Sequence, residues 1–254
     1  MMNDLTRLYT HPDCELHEMP RHPERPDRLR SIMSRLTASG IISETSVVLA
    51  EEVSDSILSK VHPRTYIESI NKSEPDSAVI KVETDTYMSR GSLRASKLAA
   101  GACAAATRDV LSGDARRVFC AVRPPGHHAE VAAAMGFCLF NNVAAGAAQA
   151  QAVHKLERIA VVDFDVHHGN GTQAKFWDNA DLFYASTHQS PLYPGTGERT
   201  ERGVYGNIVN VPLAPNSGSV DFREAMTGEI LPALHSFGPD FILISAGFDA
   251  HVDD

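Results

Sequence analysis

Three short segments combine residue types and spacings that could do chemistry. The first runs Ile159-Ala160-Val161-Val162-Asp163-Phe164-Asp165-Val166-His167-His168-Gly169-Asn170-Gly171, an apolar stretch that passes through Asp-x-Asp-x-His into a glycine-rich turn. In an extended chain residues i, i+2 and i+4 face one side, so this spacing predicts that Asp163, Asp165 and His167 converge. They would do so at the carboxyl end of a strand, where open α/β sheets hold their ligands. Carboxylate and imidazole suit Zn²⁺ or another divalent first-row metal. The bland alternative is one helix-capping aspartate beside surface histidines. It leaves three convergent polar groups at the end of a buried strand without a reason.

The second segment is Val122-Arg123-Pro124-Pro125-Gly126-His127-His128-Ala129, again directly after an apolar run. Its prolines and glycine stiffen the backbone, and imidazoles titrate near neutral pH, so a held pair can serve as general base and acid. A His-His pair in a loop is more often solvent-exposed decoration, and this segment gains its weight from the metal signal beside it. The third is Ile244-Ser245-Ala246-Gly247-Phe248-Asp249-Ala250-His251. Asp249 could complete an Asp/His/Asp set with Asp165 and His167, leaving an open coordination position of the kind catalytic zinc sites keep.

The elements that must position these groups alternate between short β-rich runs and longer helical patterns. That alternation predicts an α/β fold, a parallel sheet with helices on both faces. The expected inner strands cover 118–122, 159–164, 182–186 and 241–245, near-continuous apolar runs of the kind buried on both faces. Runs 5–9, 47–53 and 79–83 are weaker strand candidates. Helices are expected over 25–37, 89–112, 139–156 and 220–236, and another is expected to start near Thr172. No repeat, low-complexity tract or Gly/Ser linker divides the chain, which reads as a single domain over 1–254.

Composition narrows the function classes. The 254 residues carry a net charge of −9 and are 43% hydrophobic and 22% charged, an ordinary globular balance. The acidic balance argues against nucleic acid as a direct partner, since phosphate binding needs clustered Lys and Arg. No apolar run approaches the ~18 residues of a membrane span, and residues 1–7 lack the layout of a secretory signal. Cys14, Cys103, Cys120 and Cys138 lie far apart with no C-x-x-C pair, which fits a reducing, cytoplasmic setting.

Taken together, Arg123-Pro-Pro-Gly-His-His, Gly136-Phe137-Cys138, Asp163-Phe-Asp-Val-His-His-Gly-Asn-Gly and Gly247-Phe-Asp-Ala-His resemble the metal-dependent histone deacetylase and acetylpolyamine amidohydrolase superfamily, from His22-Pro23-Glu24-Arg25-Pro26 to the last residue. Asn170 and Gly247-Phe-Asp-Ala look like its class II and bacterial branch. The resemblance implies the arginase/deacetylase fold, with about eight parallel strands. It also implies hydrolysis of N-acetyl amides on lysine side chains or polyamines, using a metal-bound water and a histidine pair.

Carried over by motif, Asp165, His167 and Asp249 would bind one Zn²⁺. His127 would be hydrogen-bonded to Asp163 and His128 to Asn170, with His128 the main general base and acid. A nearby anion favours imidazolium, so Asp163 would make His127 easier to protonate, while Asn170 would orient His128 without that charge. A monovalent cation, K⁺, would use Asp163 and Ser186 side chains with carbonyls of Asp165, His167 and Thr187. Gly136, Phe137 and Tyr193 would line the acyl tunnel, and Asp85 would hold the substrate at the rim. The family's carbonyl-polarising Tyr or His, and a last strand and helix, would lie beyond residue 254, so the chain is expected to be incomplete at its C-terminus. Two rivals stand beside this: a two-manganese arginase-type enzyme, which would want an aspartate where Gly169 stands, and a binding module that holds acylated ligands without turnover.

Overall fold

The computed structural model describes residues 6–19, 21–41 and 46–254, so residues 1–5, with the beginning of the first expected strand, lie outside it. The chain divides into two compact units, Met1–His154 and Lys155–Asp254.

In the first unit β1 (Thr6–Thr10) is the middle strand of a parallel sheet, flanked by β2 (Ser46–Leu49) and β5 (Arg117–Cys120). A weaker strand candidate thus takes the central place. Its Arg7 and Tyr9 both bond to Asp109, a buried carboxylate on α4 (Ser92–Ser112). The 117–120 strand, expected inside, is an edge strand of this sheet with Phe119 exposed. Small side chains along α4 (Ala95, Ala99, Ala102) are fully buried, and α4 packs closely on α5 (Asn142–His154). This unit also holds α1 (Pro26–Ala38), α2 (Asp55–Val61) and α3 (Arg64–Lys72). The expected strand at 79–83 is only a two-residue arm, β3 (Ile80–Lys81), pairing antiparallel with β4 (Tyr87–Met88). Asp85 and Thr86 stand in the turn between them.

The second unit has a four-stranded parallel sheet. It comprises β6 (Ile159–Asp163), β7 (Leu182–Gln189), β8 (Ile208–Leu213) and β9 (Phe241–Ser245), in the order β8-β7-β6-β9. β6 is buried throughout, as its apolar run predicts. β7 runs past position 186, where the expected strand ended, through Thr187, His188 and Gln189; Thr187 and His188 are buried, and Ser186 and His188 are bonded to each other. The sequence pattern missed β8, whose run is broken by Asn210 and Pro212. Proline is tolerated there because β8 is an edge strand, where a missing N–H costs little. β9 was expected to be buried on both faces, yet Ile242 and Ile244 are exposed. The helix expected over 220–236 is α7 (Ser219–Ala225), a π-turn (Met226–Ile230) and α8 (Leu231–Phe237). Pro232 lacks the N–H that a continuous helix would need, and the wider turn absorbs the gap. The short helix α6 (Asn170–Phe176) follows the glycine-rich turn, starting close to the position expected. No helix among the described residues is long and apolar enough to cross a membrane.

Candidate metal centre and a buried histidine pair

In the second unit β6 and β9 lie side by side with Asp163 opposite Ser245, so the loops leaving both strands emerge together. Asp165 and His167 come from the first loop and Asp249 from the other. One ligand atom from each of the three lies within 4.8 Å of the others. His167 Nδ1 is 3.1 Å from Asp165 Oδ1 and 2.9 Å from Asp249 Oδ2. A Cβ on Gly247 would stand 2.0 Å from Asp165 Oδ2, so the loop after β9 can close on that carboxylate only with glycine there.

The route to this convergence differs from the expected one. The segment after Asp163 is not extended: Asp165 N–H donates to Asp163 Oδ1 (3.2 Å) and His167 N–H to Asp165 Oδ1 (2.8 Å). These side-chain turns, not a two-residue period, aim Asp165 and His167 inward. Asp163 stays fully buried at the end of β6, where Tyr184 Oη donates to its Oδ2 (3.2 Å). Ser186 sits opposite Asp163 in register and is also fully buried, and Thr187 follows it. Asn170 opens α6 and is buried. The Tyr193 ring stands edge-on to His167, with centroids 6.2 Å apart.

The donor set fits a divalent first-row metal: two carboxylates and one imidazole nitrogen, half-buried, at the end of a parallel sheet. The electrostatics point the same way. Hydrogen bonds that the His167 ring donates to Asp165 and then to Asp249 push its pKa up to about 9 against the opposing effect of burial, so the two carboxylates favour a positive charge between them.

In the first unit His127 and His128 are buried, not solvent-exposed, with ring centroids 4.0 Å apart. Their loop is tied down at its start. Arg123 is buried and donates from Nε to Glu24 Oε1 (2.7 Å), from Nη1 to Cys14 O (2.9 Å) and from Nη2 to His17 O (2.8 Å), with a further bond from Nη2 to Glu24 Oε2. The Arg123–Pro124 peptide is cis, and Pro124 O accepts from Asn142 Nδ2 (3.0 Å).

The stretch after the pair is held from outside as well. His62 Nε2 accepts from Asn141 N–H (3.0 Å), which leaves its Nδ1–H to donate to Val131 O (3.0 Å). Tyr66 Oη donates to Leu139 O (2.7 Å). Gly136 N–H donates to Asp85 Oδ1 (3.0 Å) and Phe137 N–H to Thr86 Oγ1 (3.1 Å). Asp85, expected at a substrate rim, thus spends one carboxylate oxygen on the protein itself. Gly136 and Phe137 both have positive φ, and the Phe137 ring meets His22 edge-on at 4.5 Å. Of these supporting residues, Arg123 and Glu24 stood inside segments already singled out. His62 and Tyr66 did not, and only partners distant in the sequence reveal them.

Comparison with known proteins identifies the family and the fold. The model of the histone deacetylase domain matches residues 22–254. Histone deacetylase 15 of Arabidopsis thaliana is 40% identical over 96% of this chain and 45% of its own length. The histone deacetylase-like amidohydrolase of Pseudomonas aeruginosa is 39% identical over 92% and 62%, and a probable deacetylase of Archaeoglobus fulgidus 36% over 98% and 70%. The chain therefore spans about half to two thirds of the length of several curated relatives. The crystal structure of the HDA15 HD domain superposes with a TM-score of 0.93 at 38% identity, covering 99% of this chain and 75% of that one, which makes the fold that of the arginase/deacetylase group. With the family's motifs, fold and most of its domain accounted for, this chain belongs to the histone deacetylase domain family.

Proposed function

We propose that residues 1–254 belong to a catalytic domain that hydrolyses N-acyl amides, with lysine side chains or polyamines as the amine. The observation that carries the reading is the convergence of Asp165, His167 and Asp249 on two neighbouring strand ends. These three would hold one Zn²⁺, which supplies Lewis acidity toward an acyl carbonyl and a water activated at neutral pH. His128 would take the proton from the attacking water and return it to the leaving amine, with His127 as an electrostatic partner. Asp163 and Asn170 are the residues expected to tune the two imidazoles. Asp163, Ser186 and the carbonyls of Asp165, His167 and Thr187 would hold K⁺; the burial of Asp163 and Ser186 as register neighbours supports that role. Phe137 and Tyr193 offer aromatic surfaces to an aliphatic substrate chain, and Asp85 keeps Oδ2 for a substrate amide or cationic amine. Cysteines that are all free fit a reducing cytoplasm.

The test is turnover of an acetyl-lysine peptide and of N-acetylspermidine by the purified protein, with and without a chelator. Chelator-sensitive release of acetate from either supports the reading, and the faster one names the amine class. Metal-replete protein that cleaves neither overturns it.

A further inference from the structure

Tyr193 lies on the long connection between β7 and β8, yet it keeps a defined place beside His167. Three residues farther on, buried side chains seize the connection. His168 Nδ1 is 2.8 Å from Thr196 Oγ1, and His168 Nε2 is 3.0 Å from Gln173 Oε1. Gln173 Nε2 donates to Glu201 Oε2 (2.6 Å), which also accepts from Gly197 N–H (3.2 Å). On the other side His188 Nε2 is 3.0 Å from Gly197 O, and His188 Nδ1 is 2.9 Å from Ser186 Oγ. The two imidazoles, nearly inaccessible, lie with centroids 4.8 Å apart.

The bonding partners leave one consistent set of protons. A carbonyl only accepts, so His188 carries its proton on Nε2 and takes a hydrogen bond from the Ser186 hydroxyl at Nδ1. Gln173 uses its amide nitrogen on Glu201, so its oxygen accepts from His168 Nε2–H, and His168 Nδ1 accepts from the Thr196 hydroxyl. In these bonds each ring donates once and accepts once. Fully satisfied buried networks of this kind fix one arrangement of the groups they join. Here they join the Thr196–Gly197 backbone to β7 and to the segment whose preceding residue is the ligand His167.

We propose that His168 and His188 are positioning residues that latch Thr196–Gly197 and thereby hold Tyr193 against His167. The spacing of the aromatic wall from the metal ligands is then set by a buried relay, not by the connection itself. The latch stands on the geometry alone; its consequence for substrate rests on the function proposed above.

Thr196→Val removes the hydroxyl at nearly constant shape, and Thr196→Ser restores it. Removing one hydrogen bond should raise KM for an acetyl-lysine peptide about fivefold in Thr196→Val, with kcat within about twofold. Thr196→Ser should return to the original value. In a Tyr193→Ala background the Thr196→Val penalty should vanish, because the latch acts through that ring. His168→Gln and His188→Gln should follow the same pattern if they fold.

A second measurement does not need turnover. By hydrogen exchange, amides 193–201 should exchange faster in Thr196→Val while β6 and β7 stay as protected as before. Unchanged exchange over 193–201 overturns the latch, as does a KM penalty that persists in full without the Tyr193 ring. If the unmutated chain hydrolyses nothing, the functional reading falls and hydrogen exchange still decides the latch.

Discussion

Gly136 lies directly against the His128 imidazole: a Cβ on Gly136 would stand 2.3 Å from His128 Cδ2, and the residue has a φ of +54°. The backbone of the expected tunnel wall therefore forms one side of the pocket that confines the His128 ring. Gly136→Ala would have to displace the ring and strain the backbone. It should lower stability by about 1–3 kcal/mol and impair turnover. Thermal unfolding beside a rate assay checks this; a variant that melts and works like the original would show that the ring has room to move.

Metal content follows from the Asp165/His167/Asp249 cluster. Purified protein should contain about one zinc per chain, and Asp165→Ala should lose it. The pH dependence has a definite sign. Without metal His167 holds its proton up to about pH 9, and that proton must leave before the nitrogen can bind a cation. Affinity should therefore rise with pH through neutrality, with about one proton released per metal bound near pH 7.5. Calorimetry in two buffers of different ionisation heat measures this. Two tightly held metals per chain would favour the arginase-type alternative.

Assigning proton transfer to His128 predicts unequal effects within the pair. His128→Ala should cost on the order of 10²–10⁴ in kcat, and His127→Ala less, with metal content unchanged in both. Steady-state rates with elemental analysis of the same samples provide the comparison. Equal, small losses would remove His128 from its role.

His17 should make stability fall in mild acid. Its ring is fully buried beside Arg123, and burial first, then the guanidinium, lowers its pKa to about 3. At that value the ring is neutral, so its 3.5 Å approach to Glu24 is no ion pair. In the unfolded chain the same ring titrates near ~6.5. Between these values the unfolded state binds more protons, so this contribution is complete above about pH 6.5 and is lost as pH falls toward 3. Urea midpoints measured from pH 7.5 to 4.5 should decline less steeply in His17→Gln than in the original. Parallel curves would place the acid sensitivity elsewhere.

Much of the site was legible in the sequence because its signals are local. β6 is an unbroken apolar run that ends where its ligands begin, so Asp165 and His167 could be found from spacing and residue type alone. The prolines around His127 and His128 likewise announce a fixed loop. The same locality misled where tertiary partners changed the meaning of a residue. The run 5–9 was only a weaker strand candidate, yet it is the central strand β1, where Asp109 on a distant helix supplies the countercharge of Arg7. The expected strand at 182–186 stopped short of His188, which belongs to β7 and is bonded to Ser186 and Gly197. Asp85 looked available for substrate, yet Gly136, far along the chain, occupies one of its oxygens.

Residue types and short-range spacing by themselves determined which side chains could bind metal and move protons, and that they stand at the ends of parallel strands. Only the tertiary structure decided how they are held. Asp165 turns inward through backbone bonds to neighbouring carboxylates, and Asp249 joins it because β9 pairs with β6. The Tyr193 connection is fastened by two buried imidazoles. The physical reason is that a buried polar group must find its partner in space, and neither hydrophobic periodicity nor local propensity records which distant residue that will be.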